Sequence, residues 1–136
     1  MKFSTIALTT VVAAAFSLLG CASQSQWQNM NPDQFSQVIA GDNIQIVDVR
    51  TAAEYSEGHI ENAVNIDVTA DTFTSIAEHQ LDREQPVAVY CRSGNRSKRA
   101  IQILSSKGFK TIYHLEGGMK SWTGAGLSTT KSNPEK

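Results

Sequence analysis

The sequence predicts one α/β domain: a parallel β-sheet with helices on both faces. Three observations carry that prediction. Apolar, β-branched runs alternate along the chain with segments of helical periodicity. Two of the runs, Ile44-Gln45-Ile46-Val47-Asp48-Val49 and Val87-Ala88-Val89-Tyr90, are apolar almost throughout, as strands buried on both faces are. After an N-terminal export segment, Cys21 to Lys136 leaves 116 residues without an internal repeat, the length of one domain.

Residues 1–20 stand outside that fold. Lys2 provides a basic start, and Ile6 to Leu19 is an uncharged, mostly apolar stretch of 14 residues. A membrane-spanning helix needs roughly 20, so the stretch suits the apolar region of a secretory signal. It ends in Leu18-Leu19-Gly20-Cys21, which resembles a bacterial lipobox. That resemblance implies cleavage before Cys21 and a lipid on its sulfur. An ordinary signal peptide, with Cys21 there by chance, is the plainer alternative.

Residues 21–30, rich in Ser, Gln and Asn, read as a tether. The domain is expected over 31–127. Asn31-Pro32-Asp33 has the order of a helix start: N-cap, proline at the first position, acid in the first turn. Phe35, Val38 and Ile39 then share one face, and Gly41 stops the helix. The strand at 44–49 follows. Thr51-Ala52-Ala53-Glu54 has capping-box spacing and opens a short helix ending at Gly58. Ala63-Val64-Asn65-Ile66 is the second strand. Thr72 to His79 is a helix with Phe73, Ile76 and Ala77 inward. The strand 87–90 precedes a helix from Ser97 to Lys107, whose face carries Ala100, Ile101 and Leu104. A fourth strand runs from Thr111 to Leu115. Gly117-Gly118 turns into a short helix through Trp122, and 128–136 reads as a frayed tail.

Charge and cysteine content narrow the chemistry. Without Lys2 the chain has 11 basic and 13 acidic residues, net −2, and gives no sign of a nucleic-acid partner. Between Glu84 and Glu116 there is no acid, while Arg92, Arg96, Lys98, Arg99, Lys107 and Lys110 all fall there. With Cys21 lipidated, Cys91 is the one thiol left and has no intrachain partner.

Cys91 ends the strand 87–90 and opens the loop Cys91-Arg92-Ser93-Gly94-Asn95-Arg96-Ser97. The first amides of the following helix lack intrahelical partners, and with the helix dipole they make an anion site. Gly94 permits backbone angles that aim several N–H groups inward. Those amides and the guanidinium groups nearby favour a thiolate at Cys91, the form that acts as nucleophile. An inert core thiol is the alternative, and two arginines and a glycine are poor neighbours for one. In parallel sheets ligands lie beyond the carboxyl ends of strands, where Asp48-Val49-Arg50 and Cys91 both fall.

Several short segments together resemble a single-domain rhodanese. They are Asp48-Val49-Arg50-Thr51, Glu54-Tyr55, Gly58-His59-Ile60, Ala63-Val64-Asn65-Ile66 and Val89-Tyr90-Cys91-Arg92-Ser93-Gly94-Asn95-Arg96-Ser97. Gly108-Phe109 and Leu115-Glu116-Gly117-Gly118-Met119 with Trp122 complete the set. The resemblance covers about Asn31 to Leu127 and implies a sulfurtransferase without cofactor. Cys91 would take the outer sulfur of an anionic donor such as thiosulfate as a persulfide, then pass it to cyanide or a thiol. Arg92, Ser93, Gly94, Asn95 and Arg96 would form the substrate-binding cradle, with Ser97 adding a hydroxyl donor or, as the favoured role, capping the helix. The loop lacks the Cys-Gly-Ser-Gly-Val-Thr pattern of mercaptopyruvate-using relatives.

Other readings remain. Cysteine phosphatases and arsenate reductases separate Cys and Arg by five residues, whereas four lie between Cys91 and Arg96. A non-catalytic persulfide carrier or binding module, with a protein acceptor, is the non-enzymatic alternative. Asp48 and Arg50 fall at a strand end within reach of the site, but the resemblance implies a structural ion pair; His59 is expected to be a hydrogen-bonded structural histidine. His79 and His114 have no partners at metal-ligand spacing, so no metal site is expected. The leader places the domain on the periplasmic side of a bacterial membrane. Ala22 and Ser23 after Cys21, without an aspartate, favour the outer membrane.

Overall fold

A computed structural model describes residues 27–132. The export segment 1–20 and the lipidation reading at Cys21 lie outside the described residues. Five strands form one sheet: β1 (Trp27–Met30), β2 (Gln45–Asp48), β3 (Val64–Asn65), β4 (Val87–Tyr90) and β5 (Ile112–Leu115). Their order is β1-β5-β4-β2-β3, and every pairing is parallel. Five helices complete the fold: α1 (Pro32–Ile39), α2 (Ala52–Glu57), α3 (Phe73–Gln80), α4 (Asn95–Ser106) and α5 (Gly118–Gly124). The expected α/β class is therefore the observed one.

The period of two along each strand sorts side chains between the two faces. Val87, Val89 and Cys91 pack with Val47 and Val49 under α3 and α4, against Phe73, Ala77, Ala100, Ile101 and Leu104. Ala88 and Tyr90 point the other way, into a cluster with Phe35 of α1 and Met119 and Trp122 of α5. Phe35 meets Tyr90 and Trp122 edge-on, at centroid distances of 6.5 and 6.2 Å. Both faces of β4 are thus covered, and all four of its residues are buried.

Local signals set the helix starts. Asn31 and Thr51 are both N-caps of reciprocal capping boxes, closed by Gln34 and Glu54. Two boundaries are corrected. Residues 27–30 form the edge strand β1, paired with β5, so the domain begins before Asn31. The expected tail is docked at its start: His59 and Thr130 exchange two backbone hydrogen bonds of 2.8 Å, and the Trp122 indole donates to the Ser128 carbonyl at 2.9 Å.

Candidate active site

The strands β2 and β4 lie side by side, with Val49 N donating to Tyr90 O at 3.1 Å. Their connections then diverge. Tyr55 of α2 joins the α1/α5 face, while α4 covers the opposite one. A crevice opens at such a divergence, and Cys91 and Arg50 both stand at its edge.

Cys91 is 1% exposed. Gly94 takes φ +106°, a left-handed value unfavourable for a side chain, and its N–H points at Sγ from 3.0 Å. Ser97 Oγ lies 3.3 Å from the same sulfur. Burial acts first on the thiol and pushes its pKa up. The Ser97 hydroxyl and the amides of Ser97, Gly94 and Ser93 together outweigh it, so the thiol titrates below its usual range. The loop is held from below by α5, where Met119 N and Lys120 N donate to the carbonyls of Cys91 and Arg92 at 2.9 and 3.0 Å. Gly118 (φ +59°) permits that approach, because a Cβ there would lie 2.6 Å from the Arg92 carbonyl oxygen.

The loop's side chains divide differently from the expectation. Of the two roles expected of Ser97, the structure favours the hydroxyl donor over the cap: Gly94 occupies the N-cap position of α4 without a side-chain cap bond, and the Ser97 hydroxyl bonds inward. Arg96 makes a bidentate ion pair with Glu54, at 2.7 and 2.8 Å, across 42 residues of sequence. That hydrogen-bonded pair holds the Glu54 carboxyl at about 2 and raises the Arg96 guanidinium, with the charges of Cys91 and Asp67 adding to the effect. The principal lowering of the thiol therefore comes from a hydroxyl and amides. Arg92, Ser93 and Asn95 are exposed. Arg92 lines a cleft of about 530 Å³ with Lys120, Arg50, Glu54 and Glu57. Neither Arg92 nor Lys120 makes an ion pair among the described residues.

Asp48 and Arg50 form a buried pair beside the cleft. Arg50 Nη2 is 2.7 Å from Asp48 Oδ2 and 2.6 Å from the Gly58 carbonyl. His59 is stacked on Tyr55 at 3.7 Å, with Nδ1 2.8 Å from the Tyr55 carbonyl. Among the described residues no cluster of His, Cys, Asp and Glu has metal-ligand proximity. Sequence reasoning missed His114. It is 1% exposed, with Nε2 2.6 Å from Ser97 Oγ and Nδ1 2.9 Å from Asn29 Oδ1. The usable signal was strand parity: His114 shares a face with Ile112, and so faces α4.

Among the described residues, the class is a parallel α/β domain with a single buried cysteine held among amides at the end of a central strand. Residues 31–125 match the family model for the rhodanese-like domain, and the chain belongs to that family. Membership supports an enzyme-like role. Among curated proteins it is similar to the tRNA uridine(34) hydroxylase of Yersinia pestis, 37% identical over 95 residues, covering 66% of this chain and 26% of the relative. The Yersinia enterocolitica protein of the same name is 36% identical, with 66% and 27% covered. The chain thus spans about a quarter of the length of these relatives. Among solved structures, a rhodanese-related protein from Thermoplasma volcanium superposes with a TM-score of 0.63 at 29% identity, covering 77% of this chain and 99% of that one. A rhodanese-like domain protein from Staphylococcus aureus gives 0.65 at 26%, covering 78% and 99%.

Proposed function

We propose that this chain is a sulfurtransferase working through a persulfide on Cys91. The carrying observation is the pair of donors on Sγ, Gly94 N at 3.0 Å and Ser97 Oγ at 3.3 Å, at a thiol already biased towards its anion. The thiolate attacks the outer sulfur of thiosulfate. The sulfur–sulfur bond of the donor breaks, sulfite departs with its electron pair, and Cys91 carries a terminal anionic sulfur. Cyanide or a thiolate then takes that sulfur and restores the Cys91 thiolate. Arg92 and Lys120 at the cleft mouth suit the approach of a small dianion.

A phosphatase or arsenate reductase fits less well. Such a site presents a guanidinium fork to the oxyanion, and Arg96 gives both terminal nitrogens to Glu54. The hydroxylase names of the curated relatives describe proteins of which the matched segment is about a quarter, and no hydroxylation is assigned to this chain. A persulfide carrier serving a protein acceptor is the second reading, favoured by the burial of Cys91 within its loop.

Intact-mass measurement after thiosulfate, followed by cyanide, tests the proposal. Gain of one sulfur, its loss to cyanide and thiocyanate turnover support the enzyme. Gain of one sulfur without turnover supports the carrier, and no gain overturns both.

We also infer an extracytoplasmic setting, on the periplasmic side of a bacterial membrane, favouring the outer one. Leu18-Leu19-Gly20-Cys21 supports it, with the lipid on Cys21. Fatty-acid labelling that disappears in Cys21→Ala supports this inference, and no label in the unaltered chain overturns it.

A further inference from the structure

One buried histidine has no part in the chemistry above. Cys91 Sγ is 3.3 Å from Ser97 Oγ, Ser97 Oγ is 2.6 Å from His114 Nε2, and His114 Nδ1 is 2.9 Å from Asn29 Oδ1. The four side chains come from the end of β4, from α4, from β5 and from β1. Their row follows from register: Asn29 pairs with His114, and His114 with Val89, two residues before Cys91. Cys91, Ser97 and His114 are at most 1% exposed, whereas Asn29 reaches the exposed edge of the sheet.

The hydrogens can be placed by donor and acceptor type. Asn29 presents an oxygen, which only accepts, so His114 Nδ1 carries the hydrogen of the neutral ring. Nε2 then holds a lone pair and accepts the Ser97 hydroxyl hydrogen. The alternative acceptor for that hydrogen, the Gly94 carbonyl, is farther away at 3.0 Å. The remaining lone pairs of Ser97 Oγ are left facing the Cys91 thiol.

We propose that Cys91, Ser97, His114 and Asn29 form a proton relay, with His114 the positioning residue that stores the Cys91 proton while the sulfur is anionic. The S–H bond breaks as a new O–H bond forms on Ser97. The former Ser97 O–H breaks as Nε2–H forms, and the S–H electron pair stays on sulfur. Asn29 Oδ1 accepts from Nδ1 of the resulting imidazolium, and the reverse steps return the proton. Burial first, then Lys98, disfavours the imidazolium, with Glu116 opposing them. That balance favours return of the proton to sulfur. Arg96 senses the Cys91 charge, and it is itself paired with Glu54 and senses Asp67.

The relay rests on the assignment of Cys91 as nucleophile, and its test reads the proton rather than the sulfur. Iodoacetamide alkylation of the full chain is followed against pH at the Cys91 peptide by mass spectrometry, which separates it from Cys21. His114→Gln keeps a polar partner for Ser97 without titrating in this range. It is expected to move the inflection upward by about one pH unit, making alkylation about tenfold slower below it. Asn29→Asp, at the exposed edge, places a carboxylate on the imidazolium and is expected to move the inflection downward. Nitrogen NMR of histidine-labelled wild type is expected to show the Nδ1–H tautomer at His114. Superimposable profiles in both variants, or an Nε2–H tautomer, overturn the relay. If His114→Gln does not fold, Asn29→Asp and the tautomer decide alone. Shifted profiles without thiocyanate turnover would retain the relay and overturn the enzyme.

Discussion

Two strands end side by side in this molecule, and their ends behave oppositely. At the end of β2, Asp48 and Arg50 neutralise each other. The carboxylate receives Arg50 N, Nε and Nη2, the guanidinium also reaches the Gly58 carbonyl, and Asn65 ties down the carbonyls of Asp48 and Arg50. At the end of β4, donors converge on one sulfur without a counter-ion in contact. A closed pair stabilises the fold and has nothing left to offer a ligand. An anion held only by amides and a hydroxyl is stabilised and remains a nucleophile. The same sheet edge thus carries a clamp and, in the proposed function, a reagent.

Cys91→Ser should break the comparison most completely. Serine keeps the shape and the hydrogen-bonding capacity of the loop but lacks a nucleophile of comparable acidity. Sulfur loading measured by intact mass should vanish, while thermal unfolding stays near wild type. Residual loading in this variant would move the chemistry off β4.

Removing one member of the clamp should come next. Asp48→Ala leaves the Arg50 guanidinium buried without its partner, a change worth about 3–5 kcal/mol. Urea unfolding should show that loss. The alkylation pH profile of Cys91 in the folded fraction should not move. A shifted profile would mean that the two strand ends are coupled.

A third change touches the reagent alone. Ser97→Ala removes the hydroxyl that most lowers the Cys91 pKa and unpairs Nε2 of His114. Alkylation at neutral pH should slow about tenfold, in line with about one pH unit of lost thiolate stabilisation. Ser97→Thr, which retains the hydroxyl, should recover most of the rate. Slowing without recovery would make Ser97 a packing residue.

What could be read in advance differs between these regions for a physical reason. Strand β4, its loop, the Asn31 N-cap and the Thr51–Glu54 capping box are written locally, within a few consecutive residues. Strand β1 is not: Trp27-Gln28-Asn29-Met30 is short, half polar and at an edge, and it looks like the tether before it. The relay joins Asn29 to His114 across 85 positions, and Arg96 meets Glu54 across 42. Such partners are chosen by strand register, which local spacing does not encode. Arg96 therefore looked like part of the anion cradle, and Ser97 like a cap.

The smallest effect concerns the bridge between the two regions. Glu54, on the helix that follows the clamp, binds Arg96 of the reagent loop, and its carboxyl is held at about 2 against an ordinary 4.5. A depressed carboxyl contributes stability that is fully present above its unfolded pKa and lost as pH falls through the folded one. The Glu54 contribution should therefore persist above pH 4.5 and fade towards pH 2. The side chains are 29% exposed, so solvent screening reduces it to about 1 kcal/mol. Urea unfolding of wild type and Glu54→Gln, compared at pH 6 and near pH 3, should show a gap that narrows on acidification. The absence of any gap would assign the role of Glu54 to its capping bond with Thr51, which glutamine retains, with no contribution from its charge.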